Sequence, residues 1–320
     1  MTAAARPGRP STDARPGRPS TDARPGRRST DARLGRRGTG TRPDDAAAVP
    51  ARFRDLLAAE WLKLVSLRST RWSFPLILLL VVGISANAAL ADHRNWPTYS
   101  ADRREMFALY GPLRDAFPEA GYLFLILVTT TIGAMTIVGE YGSGLIRATF
   151  AAVPARRSVV AAKAAVLAGV MLALGTLTAA SSFGVSQAIL ADRDAHWTLG
   201  DPGVPRALAA TALLAPVCAL IGMGLGALLR HTPASVGAAL AVLVLLPLVV
   251  DSDRIRWVAQ VHNALPTTAW LRLIEVYDGT AAGVPPDPFP LTIAGSWLVY
   301  AAWSLGAVLI AVIVVHRREP

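Results

Sequence analysis

Charged side chains, cysteines and lysines are all scarce in this sequence. Asp, Glu, Lys and Arg make up 17% of its 320 residues and hydrophobic residues 52%, whereas a typical soluble domain carries about 25% charged residues. Together with a mean hydropathy of +0.40, this composition argues against a wholly soluble enzyme. The single cysteine, Cys218, excludes an internal disulfide framework and a thiolate zinc site, because both need several cysteines.

Motifs for nucleotide, metal or catalytic chemistry are missing as well. The chain has only two lysines, Lys63 and Lys163, and neither follows the glycines of a GxxxxGK[ST] motif. It therefore has no P-loop with which to bind ATP. The five histidines show no HExxH spacing, so we interpret them as membrane-interface side chains in preference to metal ligands. We predict no catalytic residue, no metal site and no cofactor.

The positive charge is concentrated at one end of the chain. Residues 1–71 hold 16 basic and 7 acidic side chains, whereas the other 249 hold 16 and 15. An isoelectric point near 10.7 would by itself suggest nucleic-acid binding. Because the excess lies in the leading segment and the rest is neutral and apolar, we predict a membrane body with a basic end and no nucleic-acid partner.

Residues 1–50 form a tail built on a nine-residue repeat. RPGRPSTDA occurs at 6–14 and 15–23, RPGRRSTDA at 24–32, and a decayed RLGRRGTGT at 33–41. Such a segment has too little apolar surface to offset the entropy of ordering, so we predict disorder. It is either a polybasic segment attracted to anionic lipid or an expanded repeat without a role, and we favour the second. No apolar run follows the charged start, so we predict no signal peptide.

Residues 51–320 form the predicted membrane domain, all α-helical and polytopic. A helix of about 20 residues crosses the ~30 Å hydrocarbon core. Six stretches without Asp, Glu, Lys, Arg or His are long enough: 72–91, 120–139, 164–191, 207–229, 232–250 and 288–315. A further apolar stretch, 257–271, is too short to span and contains His262, so we expect it to lie at the interface.

Charge asymmetry between the loops predicts the orientation. On the N-terminal side residues 1–71 carry +9 and residues 140–163 carry +3. On the opposite side, 92–119, 192–206 and 251–287 each hold more acidic than basic side chains. The positive-inside rule therefore predicts a multi-pass protein of the plasma membrane, with both termini in the cytoplasm.

The predicted spans contain no ionisable side chain, which disfavours an ion-coupled carrier or an intramembrane hydrolase. Pro216 and Pro247 are expected to kink their helices. Gly222, Gly224 and Gly226 are expected to allow close helix packing.

Residues 55–70 are predicted to form an amphipathic helix in the headgroup plane, next to the first span. Leu57, Trp61 and Leu64 lie on its apolar face, with Glu60 and Lys63 opposite. Arg68 and Arg71 then mark the cytoplasmic entrance to the span. A juxtamembrane charge cluster without such a helix is the alternative.

The loop at 140–163 is the most specific feature of the sequence. Ile146, Phe150 and Val153 fall on one helical stripe. We expect a short helix projecting from the membrane domain, entered by a sharp turn at Gly142 and Gly144 and ended by Pro154.

Four elements together resemble the ABC-2 type transporter permeases of high-GC bacteria. They are AAEWLKLVSLRSTRW at 58–72, GEYGSGLIRATFAAVPARRSVVAAKA at 139–164, LPTTA at 265–269 and the last span ending in HRREP. The resemblance covers roughly 55–320. It implies a six-span permease with an interfacial elbow helix and a coupling helix at about 140–157 that docks on a cytosolic ATPase. It also implies an interfacial or re-entrant helix at 257–277.

The resemblance further implies the residues and partners of this site. The partners are a separate cytosolic ABC ATPase, a second permease chain, identical or different, and the lipid bilayer. The interfacial helix would use Trp61, Lys63, Arg68 and Arg71. The docking contacts would be Glu140, Tyr141, Arg147, Phe150, Arg156 and Arg157. A non-transport membrane scaffold, immunity factor or sensory subunit is the alternative, and a secondary transporter is a weaker one.

Overall fold

The computed structural model describes residues 52–66, 68–153, 155–193, 195–250, 255–276 and 288–317. Within these ranges it is helical and contains no strand. Twelve α-helices follow one another in this order: α1 (Phe53–Ser66), α2 (Arg68–Asn95), α3 (Ala101–Ala116), α4 (Glu119–Gly142), α5 (Leu145–Ala152), α6 (Arg156–Leu190), α7 (Val204–Leu229), α8 (Thr232–Leu240), α9 (Leu246–Val249), α10 (Arg256–Asn263), α11 (Pro266–Ile274) and α12 (Ile293–Arg317). The predicted tail at 1–50 lies outside the described residues.

In the described part of the chain, six helical segments are long and apolar enough to cross a membrane. They are Trp72–Thr98, Ala101–Gly142, Arg156–Arg193, Val204–Leu229, Thr232–Val249 and Ile293–Arg317. Each contains or overlaps one of the six predicted spans, so the prediction of an all-helical, multi-pass protein is confirmed. Several helices extend beyond the predicted spans. The predicted spans end at the first charged residue by definition, whereas a helix can continue through charged residues into the membrane interface.

Helix α7 lies at the centre of the bundle, and most of its apolar residues are buried. Its glycines bring neighbouring helices into backbone contact, as predicted. A Cβ atom placed on Gly222 would lie 2.1 Å from the carbonyl oxygen of Thr130 in α4, and one on Gly133 of α4 would lie 1.9 Å from that of Ala219 in α7. The α4–α7 crossing is therefore a contact that only small residues permit.

A second close contact on α7 lies one turn before Pro216, at the carbonyl of Ala212. A proline has no N–H to donate, so the carbonyl of Ala212 loses its partner one turn earlier. Gly175 of α6 lies against this carbonyl, and a Cβ there would be 2.1 Å from its oxygen. One residue away, the Trp270 indole donates to the Thr211 hydroxyl (3.1 Å).

Two short helices, α10 and α11, occupy the region predicted to be interfacial, and neither is long enough to span. The LPTTA segment opens α11, with Pro266 at its first turn. Thr267 donates to the carbonyl of Leu243 (2.8 Å), inside a π-helical segment, Ala241–Leu245, that joins α8 to α9. Arg206 caps the other end of α11 through the carbonyls of Leu273 (2.9 Å) and Glu275 (2.7 Å).

Helix α3 was not predicted. Ser100 accepts a hydrogen bond from the backbone N–H of Arg103 and caps its start. The helix packs on α2 and α6, where Ser85 donates to the carbonyl of Ala116 (2.9 Å) and Gln187 to that of Pro112 (2.9 Å). The segment between the first two spans is therefore a structured element and not an open loop.

Candidate functional site

Helix α1 has one side against the bundle and one side exposed. Leu56 and Glu60 are buried and Lys63 is half-buried, whereas Trp61 is 51% exposed and Leu62 is 66% exposed. A helix is thus present over Phe53–Ser66, but Glu60 and Lys63, the predicted polar face, lie on its inner side. Its position in the headgroup plane stays a prediction, and the exposed Trp61 and Leu62 suit contact with the membrane surface.

An ionic cluster of four side chains joins α1, α4 and α6. Lys163 donates to Glu60 Oε2 (2.5 Å) and to Glu140 Oε1 (2.8 Å). Lys63 donates to Glu60 Oε1 (2.7 Å) and to Glu140 Oε1 (3.0 Å). Two carboxylates and two ammonium groups thus form a closed ring with no net charge, and both lysines of the sequence belong to it.

The four charges of the ring compensate one another. Glu140 lies in the last turn of α4, where the helix dipole disfavours a negative charge, so the two ammonium groups compensate it. Partial burial acts to lower the pKa of Lys63, but the hydrogen bonds and charges of Glu60 and Glu140 outweigh this and raise the pKa above its ordinary 10.5. Lys63 is therefore held in its charged form.

Helix α5 is the short helix expected between the second and third spans. Gly144 precedes it with φ +69°, a left-handed conformation that favours glycine, and the helix ends at Ala152, ahead of Pro154. Ile146 and Phe150 are buried against the membrane domain. Leu145, Ala148 and Ala151 are exposed on the opposite side.

Most of the predicted docking residues make contacts within the chain. Glu140 belongs to the ionic cluster, and the Tyr141 ring packs under the guanidinium of Arg230 at 4.4 Å. Arg156 lies 5.2 Å from the centroid of the buried Phe150 ring. The site that these residues form is consequently an internal junction, with the exposed side of α5 as its outer surface.

Arg157 is the exposed member of the predicted docking set. It borders a groove of about 260 Å³ shared with the end of α12, where His316 and Arg317 lie. The side chains of Arg68, Arg71 and Arg147 are outside the described part of the structure, so their predicted roles stay predictions. Among the described residues, no group of three or more His, Cys, Asp or Glu side chains is arranged to hold a metal ion.

The pairing of Glu60 with Lys163, which lie 103 positions apart, was not predicted from the sequence. The sequence does contain a signal for one contact of the cluster, that of Glu60 with Lys63. A chain with only two lysines places one of them three residues after Glu60, a spacing at which helical side chains meet. The second lysine then enters through tertiary packing, which spacing along the chain does not reveal.

Comparison of the sequence with models of known protein families finds none that matches, and comparison with curated proteins finds no match either.

Proposed function

We propose that the chain is the membrane-spanning permease subunit of an ABC-2 type exporter. In this proposal it lies in the plasma membrane with both termini in the cytoplasm, and it pairs with a second permease chain. A separate cytosolic ATPase supplies the energy, since the sequence has no P-loop of its own.

The observation that carries the proposal is the placement of α5 between α4 and α6. Ile146 and Phe150 fix α5 to the membrane domain. The ionic cluster ties the helix that precedes α5 to the helix that follows it, through Glu140 and Lys163. A displacement of α5 would therefore be passed to both spans together, which is what a coupling helix must do.

Helix α1 supports the same proposal. It is joined to α4 and α6 by the cluster, so a movement of these spans would be shared with a helix whose exposed Trp61 and Leu62 suit the membrane surface. The six predicted stretches that carry no Asp, Glu, Lys, Arg or His favour an energy source outside the membrane domain over an ion gradient.

The docking surface for the ATPase is the exposed side of α5: Leu145, Ala148 and Ala151, together with Arg157. The first test is whether a P-loop ATPase is encoded beside the gene of this chain, and the second is to co-express the full chain with that ATPase. An Ala148→Arg variant places a long side chain at the centre of this surface without touching the buried Ile146 and Phe150. We expect the amount of permease in the membrane to be unchanged, the co-purified ATPase to fall at least about tenfold, and stimulation of ATP hydrolysis to be lost.

The matched control is Ala101→Arg, which changes an exposed alanine at the start of α3 and should retain the ATPase. Arg157→Glu should weaken ATPase retention if an acidic surface meets it. If Ala148→Arg retains full binding and stimulation, α5 is not the coupling element. If no ATPase associates with the unaltered chain, the scaffold or immunity alternative is favoured.

A further inference from the structure

A large cleft lies at the end of the bundle opposite to α1 and α5. Its walls come from the last turns of α2, from α3 and the start of α4 on one side, and from α10 and α11 on the other. It has a volume of about 1190 Å³, whereas pockets for drug-sized ligands are usually about 300–1,000 Å³. The cleft is therefore large enough to take an organic molecule.

Aromatic rings contribute to both walls of the cleft. Six of them line it: Phe107, Tyr110, Phe117, Tyr122, Trp197 and Trp270. Tyr122 and Trp270 meet from opposite walls with ring centroids 4.3 Å apart. Such walls favour an apolar body and also attract a cation through the ring faces.

Two carboxyl groups line the cleft. Asp115 is only 4% exposed, and its Oδ2 has no hydrogen-bond partner among the described residues. Asp92 lines the same cleft and accepts a bond from the Tyr99 hydroxyl. A buried polar oxygen without a partner is costly, so Asp115 calls for a partner that the described residues do not supply.

The opposite wall also offers an unused polar atom. The hydroxyl oxygen of Thr268 on α11 lines the cleft and has no partner among the described residues. No arginine of the cleft bonds to Asp115 Oδ2, which has no partner among the described residues. Arg103 stacks on Tyr99 at 4.1 Å, Arg272 bonds to the Leu291 carbonyl and Glu275, and Arg114 is exposed. The unmet need is thus for a donor near Asp115.

We propose that this cleft binds an amphipathic organic amine. Its ammonium group donates to Asp115 and Asp92, and its apolar body packs on the aromatic walls. Binding is a property of the membrane chain alone and needs no ATPase, so failure of this proposal and failure of the export proposal are separate results.

The test uses the full chain in lipid nanodiscs and dansylcadaverine, a primary amine joined by an aliphatic linker to an environment-sensitive fluorophore. The matched probe is its N-acetyl derivative, which has the same body but no charge. After subtraction of empty nanodiscs, we expect saturable binding of the amine and at least about tenfold weaker binding of the acetylated probe, since hydrogen bonds to charged groups are the strong ones.

Asp115→Asn should remove most of the preference for the amine while leaving the acetylated probe unaffected. Asp102→Asn, an exposed carboxylate on the same helix outside the cleft, should bind as the unaltered chain does. If the unaltered chain binds the two probes with equal affinity, or shows no saturable binding of the amine, the proposal is overturned. An Asp115→Asn protein that still prefers the amine also overturns it, because the preference then does not come from the Asp115 carboxyl.

Discussion

The four side chains of the ionic cluster account for both lysines of the chain and fix three helices to one another. Lys163 is buried, whereas Lys63 is half-buried. Removing one partner of a buried ion pair leaves an uncompensated charge and typically costs about 3–5 kcal/mol. The two lysines should therefore differ in their contribution to stability.

Lys163→Met should lower the thermal midpoint of the detergent-solubilised protein clearly more than Lys63→Met does. The double variant Glu60→Leu with Lys163→Met should recover part of the loss, because it removes both charges of the closest pair. Size-exclusion chromatography after heating measures each midpoint. Equal losses in the two single variants would contradict the argument that the deeper burial of Lys163 makes its ion pairs the more important ones.

The pH dependence of the Lys63 contribution follows from its raised pKa. A lysine whose pKa is higher in the folded state stabilises the fold fully below its unfolded value of 10.5 and loses that contribution as pH rises through the folded value. The difference in midpoint between the unaltered chain and Lys63→Gln should therefore stay constant from about pH 7 to pH 10. It should shrink only above that range, and a difference that vanishes near neutral pH would contradict the assignment.

At the scale of the helices, the α4–α7 crossing is the contact least tolerant of change. Gly133→Ala would place a methyl group 1.9 Å from the carbonyl oxygen of Ala219, so the two backbones must separate. Overpacking of this kind typically costs about 1–3 kcal/mol. We expect a lower midpoint and less folded protein in the membrane.

Gly139→Ala is the matched control on the same helix, because a Cβ there meets nothing within 4 Å. It should be neutral or slightly stabilising, since alanine favours a helix over glycine by about 1 kcal/mol. Equal effects of the two substitutions would show that glycine acts through propensity and not through close approach.

The helices that could be predicted are those whose signal is local. Each span is a long run without charge, and α5 is an apolar stripe between a glycine turn and a proline, so both were expected from the sequence. Helix α3 carries charges at Asp102, Arg103 and Arg104, which hid its buried face at Phe107 and Gly111. The π-helical segment before α9 leaves no pattern that distinguishes it from an ordinary helix.

At the scale of the whole molecule, the orientation in the membrane is the next property to measure. A reporter that is active only in the cytoplasm should work when fused after Pro154 or at the C-terminus, and fail after Ser100 or Gly279. The first two fusion points lie in or next to basic segments, which the positive-inside rule places in the cytoplasm, and the other two lie in acidic segments. Activity after Ser100 would reverse the predicted orientation.

The candidate site could be predicted only in outline. The sequence indicated which elements take part, namely α1 and α5, because amphipathic and apolar patterns are local. It did not indicate that Glu140 and Lys63, 77 positions apart, bond to each other. It also did not indicate that Asp115 lines a cleft together with aromatic side chains. Such contacts depend on how the helices cross, and the crossings depend on glycines whose partners lie on other helices.

The ring of hydrogen bonds also changes what amine chemistry can report about this protein. Apart from the amino terminus, its only primary amines are Lys63 and Lys163, and acylating reagents need an amine that is both neutral and uncovered. The raised pKa of Lys63 keeps its neutral fraction small, and Lys163 is enclosed. Lysine acylation, which maps the surface of most proteins, would therefore record in this chain the separation of α1 from α4 and α6.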